Sequence, residues 1–201
     1  MTITAIVFDV GNVLVSWDLE FLYRSVIEDP DVRGQFLAEV LTAEMNRQMD
    51  AGRSVDEALA ELVDAHPDRA DWILAFRHRW IETMGPQIDG SVELFDQLQA
   101  TGLPIYALTN FGAETWPVAQ QAYPVLTRFD GEIVSGREGL MKPDPRIYRL
   151  LTDRFGLDPE TVFFTDDNQH NVDAARAEGW HAVLFTSADQ LLADLQKAAI
   201  L

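Results

Sequence analysis

The sequence predicts an α/β fold: a central parallel sheet with helices on both faces and a helical module inserted after the first strand. Three observations carry this. A short run of apolar and β-branched residues over 3–8, without strict alternation, ends at Asp9, Gly11 and Asn12, as a buried parallel strand ends in a turn. Residues 18–86 show helical spacing and no convincing strand. Beyond Pro86, short apolar runs alternate with amphipathic stretches and turn residues, the pattern of strands joined by helical crossovers.

Within the insert, residues 19–27, 32–50, 54–64 and 70–84 read as helices. The third is clearest, because Val55, Ala58, Leu59 and Leu62 recur at helical spacing. Ser54 with Glu57 has the sequence of a capping box, Gly52 breaks the chain before it, and Pro67 ends the region after it. Trp72, Phe76 and Trp80 also fall at helical spacing and are assigned to the core rather than to a substrate platform. Past the insert, residues 91–100 form a helix stopped by Gly102, and 104–108 a strand that runs into Thr109 and Asn110. A short helix over 114–121 and a strand over 129–134 follow. Residues 146–155 are a helix, and 161–165 a strand ending in Asp166, Asp167 and Asn168. A helix over 172–178, a strand over 181–185 and a helix over 188–199 close the chain.

Right-handed crossovers bring the carboxyl ends of such strands to one edge, where open α/β sheets bind ligands. That edge receives Asp9, Thr109, Asn110, Asp166 and Asp167.

The 201 residues, 47% hydrophobic and 24% charged, suffice for one sizeable core with a smaller appended unit. Asp and Glu number 33 against 15 Lys and Arg, a formal charge of -18, which opposes binding to nucleic acid or anionic membrane. With so much negative charge, a single lysine or Mg²⁺ would weigh heavily in any anion site. The absence of cysteine excludes disulfides, a thiolate nucleophile and cysteine-ligated zinc. No basic leader and no bilayer-length apolar stretch is present. The expectation is a cytoplasmic protein with no membrane and no nucleic-acid partner.

Taken singly, each polar strand end has an ordinary reading. Asp9 beside Gly11 suits a turn that accepts backbone N–H bonds, Thr109 and Asn110 suit a turn cap, and Lys142 before Pro143 suits a solvated residue. Together they form a set that phosphoryl transfer needs. A carboxylate can attack phosphorus, a divalent cation can neutralise carboxylate and phosphate oxygens, and a lysine and a hydroxyl can hold the transferring group. An all-oxygen donor set suits Mg²⁺.

Four motifs in order make the chain resemble the haloacid dehalogenase-like (HAD) hydrolase superfamily over essentially its whole length: FDVGNVL at 8–14, LTN at 108–110, KPDPRIY at 142–148 and FFTDDNQHNV at 163–172. The resemblance implies a Rossmann-like three-layer sandwich with a core domain of residues 1–15 and 87–201. It also implies a helical cap of residues 16–86, like that of subfamily I. By the same resemblance Asp9 is the nucleophile that becomes phosphorylated, and Lys142 orients it and offsets charge. Thr109, Asn110, Lys142 and Asn171 bind phosphate. Asp167 is the principal Mg²⁺ ligand, with Asp9, Asp166 and the carbonyl of Gly11 completing the metal set. The implied activity is Mg²⁺-dependent hydrolysis of a small phosphorylated metabolite through an aspartyl-phosphate, by a monomer or homodimer.

One departure stands out. Family phosphatases commonly carry a second Asp two residues after the nucleophile as acid and base, and here that residue is Gly11. Glycine keeps the carbonyl for the metal but cannot move a proton, and losing such a group costs roughly 10²- to 10⁴-fold in rate. The Gly-Asn variant resembles the bacterial α-glucose-1-phosphate phosphatase branch, which suggests a sugar phosphate. Two alternatives remain beside this. One is an L-2-haloacid dehalogenase using Asp9 on carbon, with Arg24 as a possible cation. The other is a catalytically weakened binding module. Paired carboxylates at Asp166 and Asp167 would repel a halocarboxylate, and a silent module has no chemical reason to keep so costly a charge cluster. Trp17, Asp18, Glu44, Asn46, Arg47, Arg77, His78 and Trp80 are the cap candidates for specificity, and His170 reads as an exposed helix-start residue.

Overall fold

Residues 2–201 are described by a computed structural model. Seven strands, β1 (Ala5–Phe8), β2 (Val15–Trp17), β3 (Met84–Gln87), β4 (Ile105–Thr109), β5 (Gly131–Val134), β6 (Val162–Asp166) and β7 (His181–Leu184), divide into two sheets. The large one is parallel with order β5-β4-β1-β6-β7. Its central strand, β1, is buried at every residue, which is why its sequence is apolar without alternation.

The sheet separates two apolar layers because successive side chains point to opposite faces. Ile6, Phe8, Ile105, Ala107 and Phe163 join one cluster, with Phe95 and Leu98 of the helix Ser91–Ala100 and with Leu191 of the helix Ala188–Lys197. Ala5, Val7, Leu108, Val162 and Phe164 join the other, with Tyr148 and Leu151 of the helix Pro145–Phe155 and Val172 of the helix Gln169–Ala177. A three-layer α/β sandwich with a helical module results. The register pairs Phe8 with Ala107 on one side and Thr165 on the other, so Asp9, whose N–H donates to the Thr165 carbonyl at 3.0 Å, emerges between the ends of β4 and β6.

Between β2 and β3 the chain is mainly helical: Leu19–Val26, Pro30–Glu39, Ala43–Asp50, Val55–Ala65 and Ala70–Arg79. Several expectations are corrected here. The region expected to lack strands, 18–86, ends in one, β3, which pairs antiparallel with β2 just before the region begins, Val15 opposite Gln87 and Trp17 opposite Met84. Each is three or four residues long and β3 contains Gly85 and Pro86, so periodicity could not reveal them. The expected helix over 32–50 is two helices, broken where Thr42 caps the second by accepting the Met45 N–H at 3.2 Å. The last insert helix stops at Arg79 and continues as a 3₁₀ turn, Trp80–Thr83. Ser54 makes no side-chain cap. Instead the Val55 N–H donates to Glu114 Oε1 at 3.2 Å, a bond from the insert to the loop after β4.

The end of Ala43–Asp50 is a close junction between the insert and the segments that follow β4 and β5. Ser135 Oγ donates to the Asp50 carbonyl at 2.5 Å and accepts from the Phe111 N–H at 2.9 Å. A Cβ added to Gly136 would lie 2.5 Å from the Ala113 nitrogen, and one added to Gly52, at φ 102°, would lie 2.9 Å from the Gly136 carbonyl oxygen. Backbone thus packs on backbone where the insert meets the strand ends. Among the described residues, no helix is long and apolar enough to cross a membrane.

Because the atoms crowding Gly136 are backbone and cannot rotate away, Gly136→Ala should lower unfolding stability by about 1–3 kcal/mol. Urea unfolding measures this, and an unchanged midpoint would show that the junction is not tight.

Candidate active site

The turn after β1 aims Asp9 at the strand ends. Its Oδ1 accepts the Val10 N–H at 2.7 Å and meets Lys142 Nζ at 2.9 Å. Lys142 reaches this point because its backbone is clamped by Asn110, whose Oδ1 accepts the Lys142 N–H and whose Nδ2 donates to the Lys142 carbonyl, both at 2.9 Å. From there Nζ also meets Asp166 Oδ2 at 2.7 Å. The Lys142 ammonium is enclosed between two carboxylates.

Asp166, the last residue of β6, is wholly buried. Asn171 Nδ2 donates to its Oδ1 and Oδ2 at 2.9 and 3.1 Å, and the Asn168 N–H to its Oδ1 at 2.8 Å. Tyr148 in turn holds Asn171, donating its hydroxyl to that residue's carbonyl at 2.9 Å. Asp167 is exposed, and its oxygens, with those of Asp9 and Asp166, include three that lie within 4.8 Å of one another.

These contacts set the electrostatics. Burial pushes the Asp9 carboxyl up to about 7; Lys142 pulls it down, while Asp166 and Asp167 push it further up. Burial alone would depress the Lys142 ammonium, but Asp166 and Asp9 more than offset that and the net direction is upward. Burial and Asp166 also raise Asp167, against Lys142 and the side-chain amide of Asn12. Three carboxylates beside one ammonium leave an excess of negative charge on hard oxygen donors, which fits a hard divalent cation.

A cavity of about 210 Å³ opens beside this cluster, and Asp9, Gly11, Asn110, Lys142, Asp167 and Asn171 all reach its wall. The two other sequence candidates do not line it: Thr109, at the end of β4, and Asp166 are buried behind. The Asn110 amide is committed to the Lys142 backbone and that of Asn171 to Asp166. Of the cap candidates, Trp17, Asn46 and Trp80 line the cavity. Asp18 caps a helix, Glu44 and Arg47 pair at the surface, Arg77 binds Asp56 and Glu114, and His78 is exposed. Arg24 pairs with Glu20 in solvent, and His170 is exposed as expected. Phe76 and Trp80 are buried and still contribute to the cavity wall, so core and platform are not exclusive here.

Sequence reasoning passed over Asn12, Met49, Asp50, Met84 and Phe111, all of which line the cavity. Asn12 carried a signal, since Gly-Asn after a strand suits its left-handed φ of 55°. There its Oδ1 accepts the Trp17 N–H at 2.9 Å, tying the first turn to the start of the insert. Asp50 carried none, because the break that turns its helix toward the site was not visible in the apolar pattern.

Comparison with known proteins agrees with this geometry. The profile of haloacid dehalogenase-like hydrolases matches residues 3–179. A sesquiterpene phosphatase of Aspergillus oryzae is 26% identical over 179 residues, covering 89% of this chain and 87% of that protein. A drimenol cyclase of Aspergillus calidoustus is 25% identical over 195 residues, 94% of this chain but only 35% of the relative, so the chain spans about a third of that protein's length. A HAD family enzyme of Bacteroides thetaiotaomicron, solved with magnesium and inorganic phosphate, shares the fold with a TM-score of 0.68 at 21% identity, covering 92% of this chain and 95% of that one. With the profile match taking in most of its length, and the strand-end aspartates and buried lysine gathered at one cavity, the chain belongs to the haloacid dehalogenase-like hydrolases.

Proposed function

We propose that the protein is a Mg²⁺-dependent phosphomonoester hydrolase that acts on a small metabolite through an aspartyl-phosphate on Asp9. The observation that carries this is the buried triad of Asp9, Lys142 and Asp166 beside the open carboxylate of Asp167. Residues 16–86 act as a cap of the subfamily I kind over a core of 1–15 and 87–201. The pairing of β2 with β3 at the two crossings supports that division.

Both contacts of Asp9 fall on Oδ1, which leaves Oδ2 to attack phosphorus. Lys142 opposes the upward push on the Asp9 carboxyl, aims it, and offsets charge that gathers on the transferring group. With the Asn110 amide engaged, the contact of that residue with phosphate falls to its main-chain N–H, while Thr109 supports the turn from behind. Asn171 and Lys142 fix Asp166, so in this reading Asp167 and Asp9, with the Gly11 carbonyl, would hold Mg²⁺, and Asp166 acts mainly by positioning. The ion, when bound, supplies neutralisation of carboxylate and phosphate charge.

A dehalogenase would have to admit a halocarboxylate beside Asp166 and Asp167 with no cation but Lys142, which is already shared between two carboxylates. That argues for phosphorus over carbon. For the substrate body, the Gly11-Asn12 motif suggests a sugar phosphate. A second reading is favoured by the cavity wall, where Trp17, Met49, Phe76, Trp80, Met84 and Phe111 outnumber the cap's polar groups Asn46 and Asp50. Such a wall suits a compact, largely apolar alcohol esterified to phosphate, in keeping with the sesquiterpene phosphatase among the relatives.

A panel of sugar phosphates, apolar alkyl and prenyl monophosphates, nucleotides and L-2-haloacids, run with Mg²⁺ and with chelator, tests the reading. Mg²⁺-dependent phosphate release is the expected outcome, and the better class of monophosphate decides the body. Halide release in chelator would overturn the assignment.

Lys142→Met should abolish activity and lower stability by about 3–5 kcal/mol near pH 8, since it strands two buried carboxylates. The Asp9 carboxyl, already raised with Lys142 beside it, would lie higher still above its unfolded pKa, so the defect should shrink as pH falls and Asp9 binds a proton. Equal destabilisation at pH 5 and pH 8 would contradict the charge-based account.

A further inference from the structure

Among the described residues, the ionisable side chains that line the cavity are Asp9, Lys142, Asp167 and Asp50. The first three are accounted for by the nucleophile, its cation and the metal. Asp50 is left over, and so is a chemical need, because Gly11 supplies no acid for the departing alcohol.

Asp50 is the last residue of the helix Ala43–Asp50. Asn46, one turn earlier on the same face, donates its Nδ2 to Asp50 Oδ2 at 3.0 Å, and both line the cavity. From the core side the Gly112 N–H bonds the carboxylate, and Ser135 fixes its carbonyl. The side chain is therefore held at the point where the insert meets the strand-end loops. The surroundings favour its protonated form. Burial pushes the carboxyl up to about 7 against the Gly112 N–H, and a helix C-terminus disfavours negative charge. The charged groups on the neighbouring elements are paired elsewhere: Arg53 with Glu61, Arg77 with Asp56 and Glu114, and Arg137 with Glu132. The space beside Gly11 is open, for a Cβ built there meets nothing within 4 Å.

We propose that Asp50 is the acid and base of the reaction, supplied by the inserted helices in place of the carboxyl absent at Gly11. This rests on the phosphatase reading above. In the first step Asp9 Oδ2 bonds to phosphorus, the bond from phosphorus to the alcohol oxygen breaks with its electron pair on that oxygen, and the Asp50 proton passes to it, releasing the alcohol. In the second, the Asp50 carboxylate takes a proton from water as the water oxygen bonds to phosphorus. The bond from phosphorus to Asp9 then breaks, freeing phosphate, the Asp9 carboxylate and a reprotonated Asp50.

The test compares a substrate that needs an acid with one that does not. With Mg²⁺, Asp50→Asn should lower kcat/KM for an alkyl monophosphate about 10²-fold or more, and for p-nitrophenyl phosphate less than tenfold, because nitrophenolate leaves without a proton. Adding Gly11→Asp to that variant should restore much of the alkyl activity, since the new carboxyl enters open space. The wild-type kcat/KM for the alkyl substrate should fall above neutral pH as Asp50 loses its proton, relative to p-nitrophenyl phosphate. Equal loss on both substrates, or none on the alkyl one, overturns the role of Asp50. Should Asp50→Asn not fold, Asn46→Ala removes one donor that favours the carboxylate and should move the alkaline limb to higher pH; an unmoved limb overturns the proposal. If the wild type releases no phosphate from p-nitrophenyl phosphate, the phosphatase reading itself falls and the proposal with it.

Discussion

A lysine ammonium enclosed between Asp9 and Asp166 is the interaction on which the site depends. Neither carboxylate is tolerable at that depth without a cation, and the lysine is tolerable only because both are there. Its position is not local to its own segment. Asn110 grips the Lys142 backbone from the end of β4, Asn171 and the Asn168 N–H set Asp166 at the end of β6, and Asp9 hangs from β1 between them. The parallel sheet is thus the part of the molecule that makes the charge cluster possible, because it brings three strand ends to one point.

That logic explains what the sequence disclosed. Buried parallel strands are read as apolar runs, and although each polar residue at their ends has an ordinary turn reading alone, Asp9, Asn110 and Asp166 fall together at one edge of the sheet, which made them stand out before any contact was known. Their division of labour did not. Thr109 and Asp166 lie behind the cavity while Asn110 and Asn171 spend their amides on Lys142 and Asp166, distinctions that depend on hydrogen-bond partners far away in the chain. The insert was legible only as helical. Its two flanking strands are too short to show a period and exist because they pair with each other. The break before the helix Ala43–Asp50 depends on the Thr42 cap and the burial of Val40 and Leu41.

The same break matters for chemistry. It carries Asn46, Met49 and Asp50 to the cavity as one helical face, and the tight backbone contacts at Gly52 and Gly136 hold that face against the loop after β4. A carboxyl half-buried at a helix C-terminus lowers stability at neutral pH relative to a neutral residue. In our account that cost has a use, since it keeps a proton beside the leaving group where Gly11 offers none. The insert would then do more than select the substrate: it would complete the reacting centre.

The central claim is that Asp9 attacks phosphorus. Rapid acid quench during turnover of a monophosphate with Mg²⁺, followed by peptide mass spectrometry, tests it directly. The account predicts a phosphoryl adduct on the peptide that carries Asp9, absent in Asp9→Asn. Steady phosphate release with no such adduct at any quench time, and with Asp9→Asn still active, would contradict it.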